Sequence, residues 1–476
     1  MSIFSKRHAW SFLSKFTYAE LSLFSVFIII QLFLRFFRVD FHGIWRDEVA
    51  SLYFSSHLSQ VFKGESHGIF YYALIAPITL IDEMNHVYLR QFHVVLSFIF
   101  LVFILIRSWG GLSPSQWFCF NTLYGLNPLV FGFSRLARPY IFVIDLTVLL
   151  IMESRRVNRS KLIVGLVAMG LSMMHPLAII PLIIEFTFSS SERRRENARI
   201  FALAITPVVC YYTAKFFFDP HPLAYIDWIK SSIFDFTLML NNALMGSYYP
   251  FYEVMSPFLG NALIVSLLLI SFYSTRKFSI LVGQKNLKVF MLSYAFIILS
   301  LSIISLYVDL RLNRYYLFMW PYLLLALCTS LPSQRSISTL ATGLLAFLLV
   351  LEVTLVRPYF SFQDSFGSFV ENMKKLSKEY NQTVLGCGYT DHNWYFKKMY
   401  FRTCNDSADL NSMALMTEPF LFAFHGDQLH KLKTFPAKLR IIEKHAWPDG
   451  VLYQVISVEK KKSLPRGRLL MSLSMG

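Results

Sequence analysis

Several features are missing from this 476-residue chain, and each absence removes a class of protein. No train of alternating ~10-residue segments runs through it, which excludes a transmembrane β-barrel. No internal repeat is visible, which counts against the repeat-built transporter folds. The opening "MSIFSKRHAWSFLSKF" has no small-residue cleavage site and leads into a full-length apolar run, so a retained helix is expected there and not a signal peptide. Charged residues make up only 16%, and acids are the scarcer sign, 29 against 45 Lys and Arg. The resulting +16 comes without any nucleic-acid motif, so no nucleic-acid partner is expected. Cysteines number five. Cys119, Cys210 and Cys328 sit in apolar runs and read as small buried hydrophobes. Cys387 and Cys404 sit in a polar C-terminal region. A disulfide between them fits an oxidising compartment, but spacing alone does not fix a bridge, and both states stay open.

What the chain does have is apolar length: 55% of it is hydrophobic and 17% aromatic. Runs of roughly 17–25 apolar residues, long enough for ~30 Å of hydrocarbon, recur along most of it. They fall near 19–38, 88–106, 116–134, 139–153, 161–174, 176–190, 198–218, 257–275, 288–307, 315–331 and 336–356. The expected architecture is an all-α polytopic membrane protein of about eleven spans. With the N-terminus inside, Lys and Arg favour the inside segments by roughly three to two, and the dense clusters "ESRRVNRSK" and "SSSERRRENAR" lie inside. The run "GIFYYALIAPITLI", Gly68 to Ile81, has the length of an interfacial or re-entrant helix and contains Pro77. Counting it as a span would turn both basic clusters outward, so 40–87 is read as one outside loop. A second large outside loop covers 219–257. Residues 1–356 form the membrane domain. A small α+β extramembrane domain, 357–476, follows outside, with strands expected in "NQTVLGCGYTDHNWYFKKMYF".

Polar groups collect at the outer ends of these spans: Asp47, Glu48, His67, Arg90, Arg135, Arg138, Tyr140, His175, Asp309, Arg311, Arg314 and Tyr315. Ionisable groups at membrane depth are expensive and tend to pair or to serve function. A lone arginine there is equally well an anchor snorkelling to the headgroups. The collection as a whole fits group transfer from a phosphate-linked lipid, whose tail lies in the bilayer and whose phosphate lies at the interface. Arginine's planar fork suits phosphate. A carboxylate can take the proton of an acceptor hydroxyl. Neighbours in sequence point in different directions on any regular element, so Asp47 is assigned as the base and Glu48 as its positioning partner. Asp145, inside a span, needs a partner there and reads as structural.

The motifs carry a resemblance. "RDEVASLYF" resembles the acidic motif in the first outside loop of the GT-C superfamily of membrane glycosyltransferases, in the group of the protein O-mannosyltransferases and the lipid A aminoarabinose transferases (glycosyltransferase family 39-like). "ESHGIFYYALI", "VYLRQFHVVLSFIFLVFIL", "SRLARPYIFVI" and "RYYLFMWPYLLLAL" resemble that group's later motifs, in the same order, over roughly residues 20–360. One departure is plain: Gly68 and Ile69 stand where the group has paired prolines. The resemblance implies a GT-C-like fold, a polyprenyl-phosphate-linked sugar donor and inversion at the anomeric carbon. It implies Asp47 as base and Arg138 or Arg314 on the leaving phosphate, with Arg135 beside them. His67, Tyr140, Arg311 and Tyr315 would touch substrate, and Tyr71 and Tyr72 would stack on a sugar, although an interfacial aromatic belt explains those two as well. No cofactor is implied with certainty and no metal ligand set is seen; a divalent cation is compatible. The acceptor is a lipid, a glycan or a protein. The expected place is a bacterial inner membrane, with the site facing the periplasm. Two other functions stay open: a transporter or flippase of lipid-linked sugars, which needs no base at Asp47, and a glycan polymerase or ligase using lipid-diphosphate substrates.

Overall fold

The computed structural model describes residues 18–218 with short breaks, positions 321, 322, 324, 325 and 328, and, between 365 and 457, two helices and five strands with the turn after the first helix. The expected spans 257–275, 288–307 and 336–356 and the second outside loop lie outside the described residues. The chain divides into two compact units, Met1–Val39 with Phe54–Ser361, and Asp40–Tyr53 with Phe362–Gly476. The segment carrying Asp47 and Glu48 thus belongs with the C-terminal residues, whereas the sequence groups it with the membrane domain.

The described residues of the first unit are mostly helical. Its described helices are α1 (Tyr18–Phe36), α3 (Ile69–Ile81), α4 (His86–Ser108), α5 (Pro114–Leu126), α6 (Pro128–Ser134), α7 (Tyr140–Arg155), α8 (Lys161–Met174), α9 (Ile179–Thr187) and α10 (Ser191–Phe218); α2 (Arg46–Ser56) begins in the second unit. The run expected as one span over 116–134 is two helices. Pro128 favours a break, since it lacks an N–H and disfavours a helical residue before it, and it suits a first helical position. Among the described residues, α4 and the Arg193–Phe218 part of α10 are long and apolar enough to cross a bilayer.

Helix direction follows from a few contacts. A short connection joins α7 to α8, so Arg155 and Lys161 share one end of the bundle, and Tyr140 and Met174 share the other. α4 runs parallel to α7: His93 lies 5.0 Å ring-to-ring from Phe142 near their starts, and Arg107 pairs with Glu153 near their ends. The Gly68 N–H, just ahead of α3, donates to the Met174 carbonyl at 3.2 Å, and a turn in which the Asn85 N–H donates to the Asp82 carbonyl leads from α3 into α4. Both ends of α3 therefore lie at the same end of the bundle, and this ~20 Å helix does not carry the chain across. Gly68 approaches the end of α8 so closely that a Cβ there would lie 1.6 Å from the Met173 carbonyl oxygen. That explains a glycine where the resembled motif has proline.

The second unit holds α2, α11 (Ser365–Tyr380), β1 (Val384–Cys387), α12 (Thr390–Lys398), β2 (Arg402–Cys404), β3 (Phe420–His425), β4 (Leu439–Trp447) and β5 (Gly450–Ser457). The strands form one sheet in the order β2-β1-β3-β5-β4. β1 is parallel to both β2 and β3, and β5 is antiparallel to β3 and β4. Parallel neighbours need a crossover connection. α12 supplies it between β1 and β2, so "TDHNWYFKK" is a helix where strand was expected. The β1–β2 register pairs Cys387 with Cys404.

Candidate functional site

In the second unit, α2 places Asp47 and Glu48 in its first turn, where carboxylates interact favourably with the helix dipole. The two differ in exposure as adjacent helical residues must. Asp47 is half-buried and Glu48 is 0% exposed. The Ser51 hydroxyl donates to the Asp47 carbonyl at 3.3 Å, one turn on. Val49 and Leu52 are fully buried, and the Tyr53 ring meets Trp394 of α12 edge-on at 5.6 Å.

In the first unit, Arg90, Arg135, Arg138, Tyr140 and His175 all lie at the end of the bundle where α4 and α7 begin, and all are buried. Arg90 Nη1 donates to the Val39 carbonyl at 3.4 Å. Arg135 donates through Nη1 to Leu34 at 3.4 Å and through Nη2 to Phe37 at 2.8 Å. These carbonyls end α1 or follow it, where helix oxygens lack intrahelical partners. Arg135 thus clamps a helix end. Its pKa is pushed down to about 10, first by burial and then by the neighbouring Arg90. Arg138 sits in the tight turn between α6 and α7, its N–H donating to the Leu136 carbonyl at 2.8 Å. The Tyr140 ring packs 5.0 Å from Phe133 and 6.3 Å from His175.

Tyr71 and Tyr72 are fully buried. Tyr71 hydrogen-bonds His93 Nε2 at 3.0 Å and packs edge-on against Tyr72 and His93. Tyr72 packs against Phe54 at 5.6 Å. Covered rings have no open face for a sugar, so in this structure both tyrosines are core. His67, Asp309, Arg311, Arg314 and Tyr315 lie outside the described residues. Among the described residues, no group of three or more His, Cys, Asp or Glu is placed to hold a metal ion.

Sequence reasoning did not find several of the buried polar groups' partners. Arg90, His93 and Ser97 are all buried. Their spacing of three and four puts them on one face of α4, a polar stripe in an apolar helix that was there to be read. Asp145 finds the partner it needs in Tyr124, whose hydroxyl donates to it. Nearby, Arg35 donates to Ser97 Oγ at 2.6 Å. At the opposite end of the bundle Arg107 and Glu153 form a two-pronged pair, and Arg159 bonds Glu196 and Asn197. Lys161 also pairs with Glu196 there. The first end places Arg90 and Arg135 on backbone carbonyls.

No family model and no curated protein matches this sequence. Solved structures do. The chain is similar to ArnT from Cupriavidus metallidurans in the apo state, with TM-score 0.52 and 10% identity over 94% of this chain and 98% of that one. It is similar to the same protein bound to undecaprenyl phosphate, with TM-score 0.53 and 10% identity over 91% and 98%. The chain has an ArnT-like fold. Its described membrane-domain residues are mostly helical, as expected from the apolar runs. At 10% identity the likeness speaks for the fold, and the chemistry rests on the residues.

Proposed function

We propose that this ArnT-like chain is a membrane glycosyltransferase that moves a sugar from a polyprenyl-phosphate-linked donor to a lipid, glycan or protein acceptor on the outer face of a bacterial inner membrane. The observation that carries the reading is the division within the acidic pair, set in a fold shared with a protein crystallised with undecaprenyl phosphate. Glu48 is shut into its unit while Asp47 keeps partial exposure. Asp47 is the one able to meet an acceptor.

In this reading the acceptor hydroxyl loses its proton to the Asp47 carboxylate as its oxygen attacks the anomeric carbon. The bond from that carbon to the donor's phosphate oxygen breaks, and polyprenyl phosphate leaves with the electron pair. Attack opposite the leaving group inverts the centre. Arg138 and Arg314 stabilise the leaving phosphate, since arginine binds phosphate oxygens through paired N–H donors. Arg135 holds the end of α1. Tyr140, His67, Arg311 and Tyr315 complete the substrate contacts.

The test is transfer of labelled sugar from a polyprenyl-phosphate donor by purified protein, with donor affinity measured separately. Asp47→Asn should cut turnover by about 10²–10⁴-fold, the usual share of general-base catalysis, and leave donor affinity unchanged. Arg138→Ala should weaken both. Wild-type turnover in a folded Asp47→Asn variant sinks the base assignment and shifts it to Glu48. Full activity in Asp47→Asn, Glu48→Gln and the double variant would put a transporter of lipid-linked sugars ahead.

A further inference from the structure

The end of the bundle away from Arg138 carries positive charge that the proposed reaction does not use. Two neighbouring helices, α8 and α10, present it. Part of it is already neutralised. Arg159, just before α8, and Lys161, at its start, both pair with Glu196 of α10, the lysine at 2.6 Å. Arg194, Arg195 and Arg199 of α10 are different. All three are exposed, and no carboxylate among the described residues pairs with them. The helix itself gives no reason for them: Arg194 and Arg195 lie about one turn from its start at Ser191, where the dipole opposes cations.

The rest of α10 indicates what surrounds them. Asn197, Phe201 and Ala204 are buried and mark the face turned to the bundle. Steps of three and four from Arg195 and Arg199 lead along the opposite face to Leu203, Thr206 and Val209, all exposed. Arg193–Phe218 is long and apolar enough to cross a bilayer, so from about Leu203 onward this outward face meets acyl chains. Along the axis Arg199 stands only ~6 Å before Leu203, and Arg195 ~12 Å. Long arginine side chains reach that far to keep their charge among headgroups. On α8 the order repeats: Lys161 is followed by the exposed Leu162 and Leu166.

We propose that Arg194, Arg195 and Arg199 form a binding surface for anionic phospholipid headgroups. Their planar forks match phosphate oxygens two at a time. Three cations without carboxylates favour a headgroup of net negative charge over a zwitterionic one. The surface depends on α10 lying in a membrane and is independent of the sugar transfer proposed above.

The test uses the full-length protein in neutral detergent, titrated with phosphatidylglycerol and separately with phosphatidylcholine, with bound lipids counted by native mass spectrometry. The wild-type protein should bind phosphatidylglycerol the more tightly. The triple variant Arg194→Gln, Arg195→Gln, Arg199→Gln should lose that preference, by about fivefold for each arginine removed. Its thermal unfolding without lipid should match wild type, because the changed side chains are exposed. If it does not fold, Arg195→Gln and Arg199→Gln singly decide the matter, each with the same fivefold expectation. Removing equal charge from exposed positions of the second unit, with Lys375→Gln, Lys378→Gln and Lys397→Gln, should leave the preference intact. Equal binding of the two lipids by wild type overturns the proposal. So does a preference that survives the loss of the arginines, or one lost equally in the lysine variant, which would mean attraction by net charge alone.

Discussion

Replacing Gly68 with alanine tests how α3 is held across the end of the bundle. The added Cβ would meet the Met173 carbonyl oxygen at 1.6 Å and its carbon at 2.5 Å. Neither atom is the end of a flexible side chain, so backbone must move, by about 1.5 Å or more to restore an ordinary contact. That movement breaks the Gly68 N–H bond to the Met174 carbonyl, a loss of about 1 kcal/mol. It also loosens the start of α3, where Tyr71, Tyr72 and Ile75 are fully buried, and strained repacking of a tight core adds about 1–3 kcal/mol. The expected total is about 2–4 kcal/mol of destabilisation. The same structure supplies controls. A Cβ at Gly165 would lie 3.6 Å from the Ile200 side chain and one at Gly170 3.7 Å from Leu146, both ordinary contacts inside α8. Alanine there removes backbone freedom from a helix interior and should stabilise by about 0.5–1 kcal/mol. Thermal unfolding of the three variants in one detergent decides the matter. A Gly68→Ala protein as stable as wild type, or indistinguishable from the two controls, would refute the close approach of α3 to α8.

Other outcomes are expected. Glu153→Gln leaves Arg107 without its carboxylate at the other end of the bundle, where Glu153 is 0% and Arg107 23% exposed. The loss should be about 3 kcal/mol, the low end for breaking a buried pair because Arg107 is partly solvated, and denaturation that matches wild type would dismiss the pair as a stabilising element. Single cysteines replacing Arg156 and Arg194 should resist an impermeant thiol reagent in intact cells while one at Ser365 reacts; labelling at either basic cluster would reverse the proposed orientation. Cys387 and Cys404 are register partners at the ends of parallel strands, which lie ~4.8 Å apart, within the Cα range of a disulfide. Non-reducing peptide mapping of protein from an oxidising compartment should find them joined, with about 3 kcal/mol at stake for a loop of roughly this length. Two free thiols would end the idea.

Much of the first unit was legible because its signals are local. Apolar runs bounded by polar and basic residues gave α1, α4, α7 and α8 within a few residues. The Gly68–Ile81 run gave α3, an apolar helix shorter than the two long enough to span among the described residues. Pro128 was legible as a break in principle, but an unbroken apolar run hid it. Roles for single polar residues were harder. Arg135 and Arg138 look alike in sequence, three residues apart in one motif. Only the fold shows Arg135 spent on the carbonyls of Leu34 and Phe37, about a hundred positions earlier in the chain. Tyr71 and Tyr72 look like a sugar platform until His93, Phe54 and Phe142 cover them.

The sequence by itself determined the class: a chain this apolar, with this spacing of spans and basic loops, has few ways to satisfy its backbone other than as a bundle of helices in a membrane. It also placed the acidic pair in the loop that follows the first apolar run, through an ordered set of motifs; that the pair opens a helix came from the structure. Tertiary structure alone decided which residues that pair lives among. Tyr53, on the same helix as Asp47 and Glu48, stands more than three hundred residues before Trp394, and no periodicity reaches across such a distance. Long-range partners are chosen by packing, here by Tyr53 against Trp394.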